Sequence, residues 1–219
     1  MFNHPENFMR AIKPAFAALL LSALPLPLLG IAPATAQQAP ADEAAAARFI
    51  ESLASDAFAV LRDESLSKAD ARTKFRKLLQ ENVALRPIGQ RLIRKQRDSV
   101  TPAQMEAYNA AFPEFILNAY ADRLYDYQDA TIKVIRANPR GPFTDVQTRV
   151  QRPGSQPVDA IWQVRKTPNG RYLVNNLTVS NINLSITQEA DFNAYIQKNG
   201  FDALVAFLKS ANTKSANAR

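Results

Sequence analysis

The stretch Val100–Tyr127 reads VTPAQMEAYNAAFPEFILNAYADRLYDY, and the rest of the chain is arranged around it. Thr101 and Gln104 make a capping box and Pro102 suits the first helical position, so a helix is expected to open here. Met105, Tyr108, Phe112, Phe115, Ile116, Ala119, Tyr120, Leu124 and Tyr127 then recur at steps of three and four. That spacing draws one apolar stripe with a heavy aromatic load. The plain reading is a core helix packed on a sheet; a ligand-contacting face is compatible with it. Pro113 removes one backbone donor and predicts a kink or a break into two helices.

Downstream the period changes from 3.6 to two. Thr131–Ile135, Asp145–Gln151, Val158–Arg165 and Tyr172–Leu184 alternate apolar and polar residues. The turn signals Asn138–Pro142, Arg152–Ser155 and Thr167–Gly170 separate them. Four successive strands with short turns predict an antiparallel meander, which keeps one face dry and one wet. The dry face needs a cover, and helices lie on both sides of the strands in sequence. Upstream, these are Asp42 to about Arg62, a helix capped by Ser67 with Asp70, and a basic third piece, Leu85–Arg97. Downstream, they are a helix capped by Thr187 and closed at Gly200, then Asp202–Lys209. The fold class is therefore α+β, a four-stranded antiparallel meander under about six to seven helices.

The amino terminus reads as an export signal. Arg10 and Lys13 precede the apolar run Ala15–Ile31, and Ala34-Thr35-Ala36 is an A-x-A cleavage site, so the mature chain is expected to start at Gln37. The expected organisation is 1–36 signal, 37–45 flexible tether, 46–210 a single domain and 211–219 a disordered tail. Of the 219 residues, 27 are Lys or Arg and 20 are Asp or Glu; without 1–36 the balance is 25 to 19, or +6. The only histidine, His4, leaves with the signal, and there is no cysteine. A mature chain without either cannot run Ser-His-Asp or Cys-His catalysis, form disulfides or build the usual zinc sites. An enzyme would have to rely on a buried carboxylate such as Asp122, Asp126 or Asp159, of which the first two flank Arg123 as a solvated helix face would. No enzymatic activity, metal or cofactor is expected.

Several segments together resemble the MlaC family of periplasmic phospholipid carriers, also known as toluene-tolerance proteins. Thr101-Pro102-Ala103-Gln104 opens the central helix. Ala119-Tyr120-Ala121-Asp122-Arg123-Leu124 with Tyr127 looks like the family's TYA-x-RL-x-x-Y signature. Trp162-Gln163-Val164-Arg165 followed by Gly170–Val174 is similar to its WRV strand and hairpin, and Gly200–Leu204 to its closing turn. The similarity runs from about Ala46 to Leu208. Asn176 and Asn181 stand where the family usually has Asp and Gly, and the aromatic residue often found near Arg97 is missing. Asn tolerates left-handed backbone, so the turn at Asn181 can survive.

What the resemblance implies is an apolar pocket between sheet and helices that takes acyl chains and leaves the headgroup outside. Burying about a dozen methylenes is worth roughly 10 kcal/mol, with no covalent chemistry needed. The expected lining is Tyr120, Leu124, Tyr127, Trp162, Val164, Val174, Leu177, Val179, Ile182, Leu184, Phe192 and Ile196, with Ile182 at the entrance. Arg91, Arg94, Lys95 and Arg97 are the expected headgroup or partner surface; a solvated face is the plain alternative. The implied cargo is a phospholipid, carried in the periplasm between an outer-membrane lipoprotein–porin complex and an inner-membrane ABC transporter with an MCE-domain subunit. The carrier is expected to be a monomer and to bind no nucleic acid, because the basic cluster has no aromatic stacking set. A polycyclic, hopanoid- or sterol-like cargo is the alternative, followed by a ligand-free adaptor or chaperone. Intact-mass measurement of the exported protein should give a chain beginning at Gln37; retention of residues 1–36 would overturn the cleavage assignment.

Overall fold

The computed structural model describes residues 41–121 and 124–217, without the side chains of Ala41 and Leu124. The expected signal, residues 37–40 of the expected tether, Asp122, Arg123 and the last two residues lie outside this range. Six α-helices and one five-stranded sheet appear among the described residues: α1 Ala41–Arg62, α2 Lys68–Asn82, α3 Leu85–Leu92, α4 Pro102–Ala121, β1 Thr131–Arg140, β2 Phe143–Gln151, β3 Val158–Lys166, β4 Tyr172–Val179, β5 Ile182–Asn183, α5 Leu184–Asn199 and α6 Phe201–Asn217. Short 3-10 turns follow α3 at Arg94–Gln96 and α4 at Leu124–Tyr127. The strands run β1-β2-β3-β4-β5 in order and each neighbouring pair is antiparallel, so the meander holds with one extra strand.

That extra strand comes from a tight reversal inside the segment expected to be a single strand ending at Leu184. Ser180 and Asn181 both take positive φ, 49° and 65°, and Val179 pairs with Ile182 across them. Two consecutive left-handed residues give a turn whose twist matches its strands. Leu184 therefore opens α5, and the cap is Asn183, whose side chain accepts from the Ile186 N–H, in place of Thr187. Gly200, at φ 87°, closes α5 as expected. The first hairpin is also tighter than its turn signal implied. Asn138-Pro139-Arg140 stay in β1, Arg140 pairs with Phe143, and only Gly141 (φ 59°) and Pro142 turn.

Two apolar cores form. In one, Ala46 and Ile50 of α1 pack on Val146, Val164 and Val174 of the sheet, with Phe49, Leu53, Val83 and Trp162 around them. The Trp162 indole N–H donates to the Thr148 hydroxyl at 2.9 Å, so its polar atom is satisfied inside this layer. Ala46 at 0% exposure and Glu43 at 4% show that α1 is anchored well before the expected end of the tether. At its other end Arg62 donates to the carbonyls of Gln128 and Ala130, fixing the start of β1. The second core is aromatic. Tyr108 stacks on Phe112, and Phe192 meets both edge-on at 6.5 and 6.3 Å. Phe201 completes it from the first turn of α6.

Helix α4 runs through Pro113 as one helix, so the expected break into two does not occur. One proline removes a single ladder bond, and buried Phe112, Phe115 and Leu117 on either side hold the helix to its neighbours. The expected disordered tail is helical to Asn217. Asn212 bonds both Asn118 and the Ala111 carbonyl of α4, and Ser215 accepts from Arg72 of α2, so this polar segment is tied down by polar partners.

Helices α3 and α4 approach so closely that only glycine fits at residue 89. A Cβ there would lie 2.5 Å from the fully buried Phe112 ring, and the Gly89 carbonyl accepts from the Tyr108 hydroxyl at 2.9 Å. Burial pushes the Tyr108 phenol far above its ordinary pKa. Gly89→Ala should therefore destabilise by about 1–2 kcal/mol, since overpacking outweighs the gain in helix propensity. Urea unfolding measures it, and an unchanged or higher midpoint would show that the helices can part.

Candidate functional site

The register places the inner-face side chains in rows. Ala137, Val146, Trp162 and Leu177 form one row, and Val134, Thr148, Ala160, Val179 and Ile182 form the next. Cover is uneven along these rows. Val146, Thr148 and Ala160 are buried, whereas Trp162, Leu177, Val179 and Ile182 are only partly buried. The reason is where the helices lie: α1 packs on β1 and β2, while β4 meets α5, α3 and α2, and α4 packs mainly on α6, α3 and α2. The partly buried strip of these rows lies toward β4 and β5, where partly buried Leu184 follows at the start of α5.

The expected lining residues divide accordingly. Trp162, Leu177, Val179, Ile182 and Leu184 fall on or beside this strip. Val164 and Val174 lie deeper, in the core against α1. Phe192 is 1% exposed inside the aromatic core, among Tyr108 and Phe112. Ile196 is partly buried on α5. Tyr120 and Tyr127 are 43% and 49% exposed, yet burial of the Tyr120 phenol, and then the nearby Tyr127, raise its pKa above the ordinary value; the Arg152 guanidinium stands over the Tyr127 ring at 5.4 Å. The Leu124 side chain lies outside the described residues. Two of the carboxylates considered for catalysis sit in solvent: Asp126 is exposed, and Asp159 pairs with Arg149 at 2.8 Å on the outer sheet face.

The four basic residues also separate. Arg91 is drawn inward along the β4 edge, where it donates to the Asn175 carbonyl and to the Ser185 hydroxyl. Burial pulls its guanidinium pKa down from the usual value; Glu189 opposes this and Arg94 adds to it. Arg94 pairs with Glu189 at 2.9 Å, and Gln96 donates to Asn193 at 2.7 Å, so a polar seam joins the end of α3 to α5. Arg94, Lys95 and Arg97 are all exposed, Arg94 while paired with Glu189.

A different concavity, of about 470 Å³, lies at the other end of the sheet. The first turn of α1 and the Gly141-Pro142 turn form it, with Asp42, Glu43, Phe143, Val164, Lys166 and Tyr172 on its walls. Asp42 is held by the Lys166 ammonium at 2.6 Å and by the Tyr172 hydroxyl at 3.2 Å. These contacts keep its carboxyl below the usual range, Lys166 contributing most. Sequence reasoning took Asp42 and Glu43 only as a helix start; the hairpin that faces them is too distant in the chain for any local signal.

Among the described residues no cluster of three or more His, Cys, Asp or Glu could hold a metal, and no helix is long and apolar enough to cross a membrane. The family model described as MlaC protein matches residues 51–210. A solved structure of a phospholipid-binding protein from Ralstonia solanacearum, in complex with a phospholipid, aligns with TM-score 0.66 at 21% identity, covering 78% of this chain and 98% of that one. At that identity the likeness is one of fold.

The separation of the basic residues is testable by unfolding. Arg91→Ala should lower stability by about 1–3 kcal/mol, the cost of leaving the β4 edge carbonyl unpaired. Lys95→Ala and Arg97→Ala should each stay within about 0.5 kcal/mol of the parent. Equal losses at all three positions would contradict the burial of Arg91.

Proposed function

The chain belongs to the MlaC family, and from that we propose that it is a phospholipid-binding carrier which takes acyl chains against the inner face of its sheet. The observation that carries this is the partly buried strip Trp162–Leu177–Val179–Ile182. A folded chain gains by keeping such a surface dry, so an incompletely covered apolar strip suits an apolar ligand. Acyl chains suit it because they are flexible and need no hydrogen bonds. The protein bound to a phospholipid in Ralstonia solanacearum has the same fold, which supports the reading.

The finer assignments belong to the same proposal. Leu184, Ile196 and the surface rings of Tyr120 and Tyr127 extend the lining, and Leu124 joins them by sequence position. Val164, Val174 and Phe192 act behind this layer, as packing that sets its depth. Lys95 and Arg97 offer charge to a headgroup phosphate or an acidic partner, while Arg91 and Arg94 hold α3 to the sheet edge and α5. The carrier works as a monomer in the periplasm after loss of residues 1–36, with residues 46–210 as its lipid-binding domain. It exchanges lipid with an outer-membrane lipoprotein–porin complex and an inner-membrane ABC transporter bearing an MCE-domain subunit. Its role is binding and transfer, not catalysis.

Mass spectrometry of natively purified protein should find a stoichiometric phospholipid. Ile182→Glu should keep the fold and lose that lipid, because a carboxylate would be desolvated against the acyl chains. Lipid-free protein that also extracts nothing from liposomes would end the carrier reading; lipid retained by Ile182→Glu would move the entrance elsewhere. A polycyclic lipid in the spectrum would replace the phospholipid as cargo.

A further inference from the structure

Three unpaired charges line a small concavity at the end of the sheet where Ile182 lies. It holds about 190 Å³ and is walled by Asp126, Asp129, Ala130, Arg152, Pro153 and Ser155. Its place follows from the register. Thr131 pairs with Gln151, Val150 with Val158, Ala160 with Val179 and Val179 with Ile182, so the start of β1, the end of β2 and Ile182 share one end of the sheet. Ile132, Val150 and Val158, all partly buried, form the inner-face row beyond Ala160 and Val179, and Arg152 stands two residues past Val150.

The Arg152 guanidinium rests over the Tyr127 ring at 5.4 Å, a contact that leaves its N–H donors unused. Among the described residues it makes no ion pair, and neither does Asp126 or Asp129, although all three line the same wall. By contrast Arg149 and Asp159, the nearby charges on the outer face, bind each other at 2.8 Å. The spacing inside the concavity therefore leaves room between opposite charges.

We propose that this concavity binds a zwitterionic phosphoethanolamine group, with the phosphate on Arg152 and the ammonium on Asp126 and Asp129. Resting on the carrier reading, this makes a phospholipid with a primary-amine headgroup the favoured cargo. A lone anion would meet two carboxylates, and a lone cation would meet the guanidinium; a group that carries both signs satisfies all three. The guanidinium fork matches phosphate oxygens, and a primary ammonium brings three N–H donors for the two carboxylates. A trimethylated ammonium brings none, so a choline headgroup fits less well. The three side chains sum to one negative charge, which disfavours a purely anionic headgroup. A metal ion fits poorly, because two carboxylates fall short of its ligand shell and the guanidinium repels it. About 190 Å³ is the room of roughly six waters, enough for a headgroup and too little for an acyl chain.

The test loads the mature chain from vesicles holding phosphatidylethanolamine, phosphatidylcholine and phosphatidylglycerol in equal amounts and quantifies the bound lipid by mass spectrometry. Phosphatidylethanolamine should be enriched about twofold to fivefold over the vesicle, the range that exposed ion pairs give. Arg152→Gln should remove the enrichment, and Asp126→Asn with Asp129→Asn should shift the bound lipid toward phosphatidylglycerol. All three positions are exposed, so the variants should fold. Ile182→Glu acts on the acyl chains and should instead lower all three lipids alike. Free O-phosphoethanolamine supplies a second arm, read from amide chemical shifts at Asp129 and Ser155. Saturable shifts that Arg152→Gln abolishes would show that the group alone suffices; enrichment without such shifts would make the lipid its source. An absence of both, an enrichment in another headgroup, or an enrichment that these variants leave unchanged would overturn the site and leave its residues as solvated surface charges. If no lipid loads, saturable shifts with O-phosphoethanolamine would keep the site while ending the carrier reading, and no shifts would overturn both.

Discussion

Apolar side chains on the inner face of the sheet run in register across neighbouring strands, and water has to be kept off them. One long helix cannot do this alone. An α-helix is about 10 Å wide and adjacent strands are about 4.8 Å apart, so α1 cannot cover all five strands. It packs most on β1 and β2, and Val146, Val164 and Val174 are buried with its Ala46 and Ile50. The remaining helices spend much of their apolar surface on one another, through Tyr108, Phe112, Phe192 and Phe201. Because their core is self-sufficient, the strip near β4 and β5 is left partly open.

This division also explains why the helical layer is stiff where it is most crowded. Gly89 lets α3 settle onto the Phe112 ring, and the Tyr108 hydroxyl closes the contact with a buried hydrogen bond. Arg91, two residues on, donates to the carbonyl of buried Asn175 in β4, next to the Val83–Val174 bridge. A short helix thus does two jobs: it fixes the aromatic core to α4 and ties itself to β4. Its positive charge is partly absorbed by these contacts, which leaves Lys95 and Arg97 to face outward.

The two ends of the sheet differ in chemistry. At the Ile182 end the partly buried surface is apolar. At the Gly141-Pro142 end Asp42 and Glu43 lie with Lys166 and the Phe143 and Tyr172 rings. The same strand alternation produces both, since inner-face residues at the middle of a strand meet helices while those at its ends meet loops and helix termini.

Much was legible in the sequence because it is written locally. The capping box at Thr101 and Gln104, the period-two strands, the hairpin signals and the Gly200 cap each depend on neighbouring residues, and each appears in the fold. The family follows from several such segments in order. What the sequence could not contain is how elements meet. Alternation puts Val164 and Val179 on one face, but only the placement of α1 buries the first and leaves the second partly open. Stripe position could not say that Phe192 would lie in a helical core, that Asn212 and Ser215 would hold the carboxyl-terminal helix, or that Glu43 would be enclosed by a hairpin about a hundred residues away. Periodicity states which face turns inward; tertiary packing decides what that face touches, because contact energies depend on partners distant in the chain.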